Sequence, residues 1–118
     1  MTDSHCAVST TKKKQIMAVH DAMDVLNGKW KISIISSICY NNQRRFSDIL
    51  HDIQGISNKM LSKELKELET NKLVKRTVLD TQPVTVLYQL TAYGKTLQTV
   101  IDKLAEWGTE HRKVIIGK

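Results

Sequence analysis

Apolar residues recur at helical spacing along most of the chain, switch to two strand-like runs, and return to helical spacing near the end. Ile16, Val19, Met23 and Leu26 lie three or four residues apart and predict a short first helix, stopped by Asn27-Gly28. A second helix is expected from about Lys29 to Tyr40. There Trp30, Ile34 and Ile38 recur at every fourth residue, and Ile32, Ile35 and Cys39 fill the adjoining stripe. A helix apolar over most of its circumference belongs in a core. Phe46, Ile49, Leu50 and Ile53 mark a third helix ending before Gly55.

Ser57 is a good N-cap for a fourth helix running to about Asn71, with Ile56 and Leu61 placed for a hydrophobic staple. Leu73 to Leu79 and Thr85 to Leu90 are rich in Val, Leu, Thr and Tyr and read as strands joined by residues 80–84. Thr91 can cap a last helix whose apolar positions are Leu97, Val100, Ile101, Leu104 and Trp107. Two helices with a Gly-containing turn, followed at once by a hairpin, are a helix-turn-helix with a wing. The expected fold is therefore mainly α (α+β), a winged helix-turn-helix with a two-stranded β-hairpin wing. Residues 1–15, polar and carrying Lys12-Lys13-Lys14, read as a flexible basic N-terminal tail, and residues 16–118 as one domain.

Composition sharpens this picture. The 118 residues suit one domain, and 41% hydrophobic with 25% charged residues is ordinary for a globular protein. One Pro and five Gly argue against a turn-rich sandwich. The net charge of +6 suits a polyanionic partner, nucleic acid or an anionic membrane surface. No run approaches the roughly 20 apolar residues of a bilayer span, and the N-terminus MTDSHCAVSTTKKK has no secretory h-region, so a cytoplasmic protein without a membrane partner is expected. Cys6 and Cys39 form no CxxC pair, and His5, His20, His51 and His111 are scattered. Neither a metal site nor a cofactor is expected.

The fourth helix carries the candidate chemistry. At about 100° per residue, Leu61, Leu65 and Leu68 share one narrow arc, while Lys59, Ser62, Lys63 and Lys66 share the opposite side. Glu64 and Glu67 fall on a flank and Glu69 near the end. A carboxylate-free cationic arc is what a helix entering the major groove needs. Its first turn points deepest into the groove, so Asn58, Lys59 and Ser62, following Ser57, are candidates for base contact. Lys63 and Lys66 are candidates for phosphate. Arg44 and Arg45, before the third helix, and Arg76, Thr81 and Gln82 in the wing, complete the expected DNA-binding set. A solvated Lys-Glu surface is the bland alternative for any such helix. The helix-turn-helix-wing order, the acid-free arc and Lys75-Arg76 at the start of the next strand favour double-stranded DNA.

Asn27-Gly28-Lys29-Trp30, Arg45-Phe46, Gly55-Ile56-Ser57-Asn58-Lys59-Met60-Leu61 and Lys66-Glu67-Leu68-Glu69 resemble the HxlR family of bacterial winged-helix regulators. Leu73-Val74, Tyr88-Gln89-Leu90-Thr91, Gly94 and Ala105-Glu106-Trp107 continue the likeness, which spans about Met17 to Gly108. The resemblance implies a homodimer on a palindromic operator, paired through the first and last helices. Leu97, Val100/Ile101, Leu104 and Trp107/Gly108 repeat at alternating three- and four-residue steps, as a helix-pairing seam does. Met17, Leu97, Ile101, Leu104 and Trp107 are the expected interface. The chain also departs from the family pattern. Many members carry a Cys thirteen residues before the Trp, some of them sensing oxidants or electrophiles through it, and here that position is Met17. Many have an Arg late in the wing where this chain has Thr85.

Cys6, beside His5 and upstream of three lysines, is the candidate substitute as a redox sensor, against the plainer reading of an ordinary tail cysteine. Cys39 reads as packing. A small-molecule effector of unidentified chemistry would sit between the first, second and last helices, near Trp30, Tyr40 and Trp107. The chain has no G-x-S-x-G, H-E-x-x-H, glycine-rich phosphate loop or Cys-His-acid grouping, so no enzyme is expected. The competing reading is a winged-helix protein–protein adaptor without specific DNA binding.

Overall fold

The computed structural model describes residues 9–117. In chain order they form α1 (Ser9–Val25), α2 (Lys31–Asn41), β1 (Arg44–Arg45), α3 (Phe46–Asp52), α4 (Asn58–Thr70), β2 (Val74–Leu79), β3 (Thr85–Leu90), a 3-10 turn (Gly94–Leu97) and α5 (Gln98–Ile116). This is the mainly helical winged helix-turn-helix expected, with two differences. The wing is joined by a third short strand, giving the antiparallel order β1-β3-β2 with Arg44 opposite Tyr88 and Val74 opposite Leu90. The first helix also starts earlier than its apolar spacing indicated. Residues 9–15, expected to belong to the tail, are the opening turns of α1. Residues 10–15 are polar and, apart from partly buried Lys12, exposed, so apolar periodicity carried no signal there.

The core forms where three helical faces meet the sheet. Ile34, Ile35 and Ile38 of α2 and Ile49 of α3 are fully buried, as are Leu61 and Leu68 of α4, with Leu65 beside them. Leu73, Val74, Tyr88 and Leu90 close the core from the sheet side, and Ile101 of α5 enters it. Such burial contributes about 1.5–3 kcal/mol per large aliphatic side chain before entropy is subtracted.

Two glycines are required by geometry. Gly55, at φ +93°, makes the turn between α3 and α4 in a conformation that disfavours a Cβ. Gly94 presses against the Leu73 backbone so closely that a Cβ would collide with its carbonyl. Thr91 holds that crossing: its hydroxyl donates to the Lys72 carbonyl at 2.6 Å and accepts from the Gly94 N–H at 2.9 Å. The threonine thus caps the 3-10 turn that leads into α5.

The molecule is elongated, 62 × 36 × 23 Å with a radius of gyration of 17.4 Å. A compact chain of this size would come nearer about 13–14 Å. The excess arises from α1 and α5, whose apolar side chains largely miss the core. Ile16, Met17, Val19 and Met23 on α1, and Val100, Leu104, Trp107, Val114, Ile115 and Ile116 on α5, are all exposed.

Candidate nucleic-acid interface

The start of α4 is built as its sequence indicated. Ser57 is extended, and its Oγ accepts from the Met60 N–H at 3.0 Å. Ile56 and Leu61 are buried together beneath that cap. Asn58, Lys59, Ser62, Lys63 and Lys66 are exposed, whereas Leu61, Leu65 and Leu68 are buried. The leucine and lysine faces of α4 therefore point as expected, and four of the exposed five share one side of the helix.

Glu64, placed by sequence on a flank of the helix, is 5% exposed on the inner side. Its partner is Lys31 of α2, itself only 2% exposed, whose Nζ donates to Glu64 Oε1 at 2.7 Å. The same ammonium donates to Glu67 Oε1 at 2.6 Å and to Asn27 Oδ1 at 3.1 Å. Burial works against the charge on Lys31, but the two carboxylates outweigh it and hold its pKa above the ordinary lysine value. Glu67 is held below the usual carboxylate range, first by the Lys31 hydrogen bond and charge, then by Lys63. Lys63 Nζ lies 3.6 Å from Glu67 Oε2, so Glu67 stands between a buried and an exposed ammonium. Sequence reading missed Lys31. The available signal was a carboxylate, Glu64, on the leucine side of α4, which requires a buried cation.

Arg44 and Arg45, expected to grip phosphate, each pair with a carboxylate of α3. Arg44 pairs with Asp52 through Nε at 3.0 Å and Nη2 at 2.5 Å, and Asp52 also accepts from the Ser37 hydroxyl at 2.7 Å. Those hydrogen bonds, Ser37 first and then Arg44, lower the Asp52 pKa. The backbone N–H and Nε of Arg45 donate to Asp48 at 3.1 and 3.3 Å. The Arg45 backbone N–H, more than its side chain, lowers the Asp48 pKa. The two arginines thus fasten α3 at both ends, a role hidden from sequence because it depends on the carboxylates one helix later.

In the wing, Arg76 is exposed on β2 opposite Tyr88 of β3. Thr81 and Gln82 are exposed at the tip, where the Thr81 hydroxyl lies 2.6 Å from the Pro83 carbonyl and 2.9 Å from Thr85 Oγ1. Val78 and Val84 are exposed near the hairpin tip, beside the exposed Asp80.

The expected interface residues divide. Met17, Leu104 and Trp107 are 60%, 48% and 66% exposed. Ile101, at 3%, belongs to the subunit's own core, and Leu97 is half-buried against it. Ile101 is therefore corrected from an interface residue to a core residue: one helix serves two faces, and the seam repeat did not separate them. Trp107 stacks on His111 with ring centroids 4.8 Å apart.

The expected effector position is also redrawn. Trp30 and Tyr40 line an open cleft along α2 with Lys29, Ser33, Ser36, Arg44 and Asp52, but Trp107 is not part of it. Tyr40 instead donates to Asp102 of α5 at 2.9 Å. Cys6 lies outside the described residues. Cys39 is a free, half-buried thiol whose pKa is raised by burial and then by Asp102, which suits packing rather than reactivity. Among the described residues, no cluster of His, Cys, Asp and Glu could hold a metal, and no helix is long and apolar enough to cross a membrane.

Comparison with known proteins agrees with this architecture. The family model described as HxlR-like helix-turn-helix matches residues 25–115. The HTH-type transcriptional regulator YtcD of Bacillus subtilis is 33% identical over 106 residues, 90% of this chain and 83% of that protein. YodB, an HTH-type transcriptional regulator of the same organism, is 37% identical over 92 residues, 78% of this chain and 81% of its own length. Among solved structures, the redox regulator HypR in its reduced form superposes with a TM-score of 0.76 at 32% identity, covering 86% of this chain and 99% of that one.

Proposed function

The chain belongs to the HxlR-like helix-turn-helix family of transcriptional regulators, and we propose that it binds double-stranded DNA sequence-specifically, as a homodimer on a palindromic operator. The observation carrying this reading is the outward face of α4, where Asn58, Lys59, Ser62, Lys63 and Lys66 are exposed while Glu64 is drawn inward. Placed in the major groove, the first turn offers Asn58, Lys59 and Ser62 to base edges, and Lys63 and Lys66 to phosphates. Ser57 holds that turn by its cap. Arg76, Thr81 and Gln82 of the wing lie where a hairpin beside the groove meets the backbone. Arg44 and Arg45, paired with Asp52 and Asp48, would meet phosphate by sharing or giving up those carboxylates.

The homodimer is supported by the uncovered apolar surface of α1 and α5. Met17, Leu104 and Trp107 would be covered by a second copy across a two-fold axis. Two recognition helices related by that axis would meet half-sites about 34–36 Å apart. The reading is of a binding protein acting in the cytoplasm, with no catalytic step.

A thiol signal, if the protein has one, falls to Cys6. Met17 has no thiol, and burial and then Asp102 raise the Cys39 pKa, which disfavours its thiolate. Diamide should then release DNA from the wild type and not from Cys6→Ser.

Selection of bound duplexes from a random pool tests the main reading. A palindromic consensus supports it. An unstructured pool with no enriched sequence would exclude sequence-specific binding and favour the adaptor.

A further inference from the structure

Lys31 is the most deeply buried charge in the described structure, and neither the fold nor the DNA-facing surface accounts for it directly. It opens α2, four residues after Asn27 near the start of the α1–α2 turn. Its ammonium meets both carboxylates on the inner and lateral sides of the recognition helix, Glu64 and Glu67. Its side chain is 3% exposed and that of Glu64 7%.

Lys63 faces outward with a 64% exposed side chain, yet lies within 4.0 Å of Glu64 and 3.6 Å of Glu67. The two lysines thus share the same carboxylates, Lys31 on each Oε1 and Lys63 facing each Oε2. Lys31 holds them at 2.6–2.7 Å from the buried side, and Lys63 reaches them only at longer range. An exposed pair at such a distance is weak, because solvent screens it. The buried contacts are shorter and charge-assisted. Without Lys31, the nearest cation to Glu67 is Lys63.

We infer that Lys31 is a positioning residue for DNA binding: by offsetting the charge of Glu64 and Glu67 from behind, it limits their pull on Lys63 to a long, solvent-screened contact that phosphate can displace. This rests on α4 being the recognition helix, but its mechanism lies within the subunit and can be read without DNA. A buried lysine of purely structural value would stabilise the fold and leave the charge on the outer face unchanged.

Removing Lys31 alone strands a buried carboxylate and can unfold the chain. The informative variant is K31M/E64Q, which removes both buried charges and leaves Glu67 to draw in Lys63. Its partner is K31M/E64Q/E67Q, in which Lys63 has no carboxylate to meet. Two readouts are taken on each, after circular dichroism has shown equal helicity. The first is competitive acylation of Lys63, followed by mass spectrometry on the DNA-free protein. The second is the salt dependence of binding to a random-sequence 30-bp duplex.

We expect Lys63 acylation to fall in K31M/E64Q and to recover in the triple variant. The salt slope should fall by about one unit in K31M/E64Q, one lost phosphate contact, and recover likewise. Equal Lys63 reactivity in all three proteins overturns the inference, whatever DNA does. So does a weakened affinity whose slope is unchanged, or one that E67Q fails to restore. If the wild type binds no duplex, the nucleic-acid reading fails and the acylation arm alone decides the role of Lys31.

Discussion

Ile101 and Trp107 stand six residues apart on α5 and have opposite surroundings, the first 3% exposed in the core and the second 66% exposed. The helix thus closes its own subunit with one face and offers another outward. The two substitutions should separate. Ile101→Ala should cost about 2–5 kcal/mol in urea unfolding, as expected when a buried aliphatic side chain is truncated. Trp107→Ala should leave helicity intact and shift sedimentation equilibrium toward monomer. If Trp107→Ala lowers stability as much as Ile101→Ala at a concentration where the wild type is monomeric, the division of α5 is wrong.

Gly94 lies under the Leu73 carbonyl at the point where the wing returns to α5. A methyl group there cannot be accommodated by a flexible side chain moving aside, because the obstacle is backbone. Gly94→Ala should destabilise by at least the 1–3 kcal/mol typical of overpacking. Gly108→Ala is the control, since its added carbon meets nothing within the subunit. A Gly94→Ala melting temperature equal to that of Gly108→Ala would contradict the close approach.

Acid should unfold the protein through its paired carboxylates. Asp48, Asp52 and Glu67 all have folded pKa values below their ordinary ones. Each contributes stability that is fully present above its unfolded pKa, about 3.9 for Asp and 4.3 for Glu, and is lost as pH falls through the lowered folded value. The urea midpoint should therefore hold from neutral pH to about 5 and decline below about 4. Asp52→Asn should begin from a lower midpoint and lose less on acidification. An acid limb equally steep in Asp52→Asn would remove Asp52 from this account.

The two parts of the α4 face should fail differently. Lys63→Ala should weaken binding to all duplexes alike and reduce the salt slope by about one unit. Asn58→Ala should change which base is preferred within the half-site, leaving the slope unaltered. Identical salt slopes for the wild type and Lys63→Ala would count against the phosphate assignment.

What could be read from sequence follows from which forces are local. The cap at Ser57, the staple of Ile56 and Leu61 and the leucine arc of α4 depend on spacing within one helix, and each stands as expected. The hairpin was legible for the same reason. β1 was not, because two residues carry no periodicity and Arg44 and Arg45 become a strand only by pairing with Tyr88 and Leu87. The partners of the charge pairs were illegible too, even where Glu64 signalled that a buried cation was needed. Arg44 looked free because Asp52 lies eight residues away, and Lys31 went unnoticed because its carboxylates are 33 and 36 residues away. Ile101 shows a further limit: a regular apolar repeat marks faces to be covered and does not say whether the subunit or a second copy covers them.

Guanine-N7 methylation interference on a selected duplex reports the groove that the protein occupies. If Asn58, Lys59 and Ser62 enter the major groove from two symmetry-related helices, methylation should block binding in two patches about one helical turn apart. Binding that tolerates methylation throughout, with contacts confined to the minor groove or the backbone, would contradict α4 as the reader of the operator.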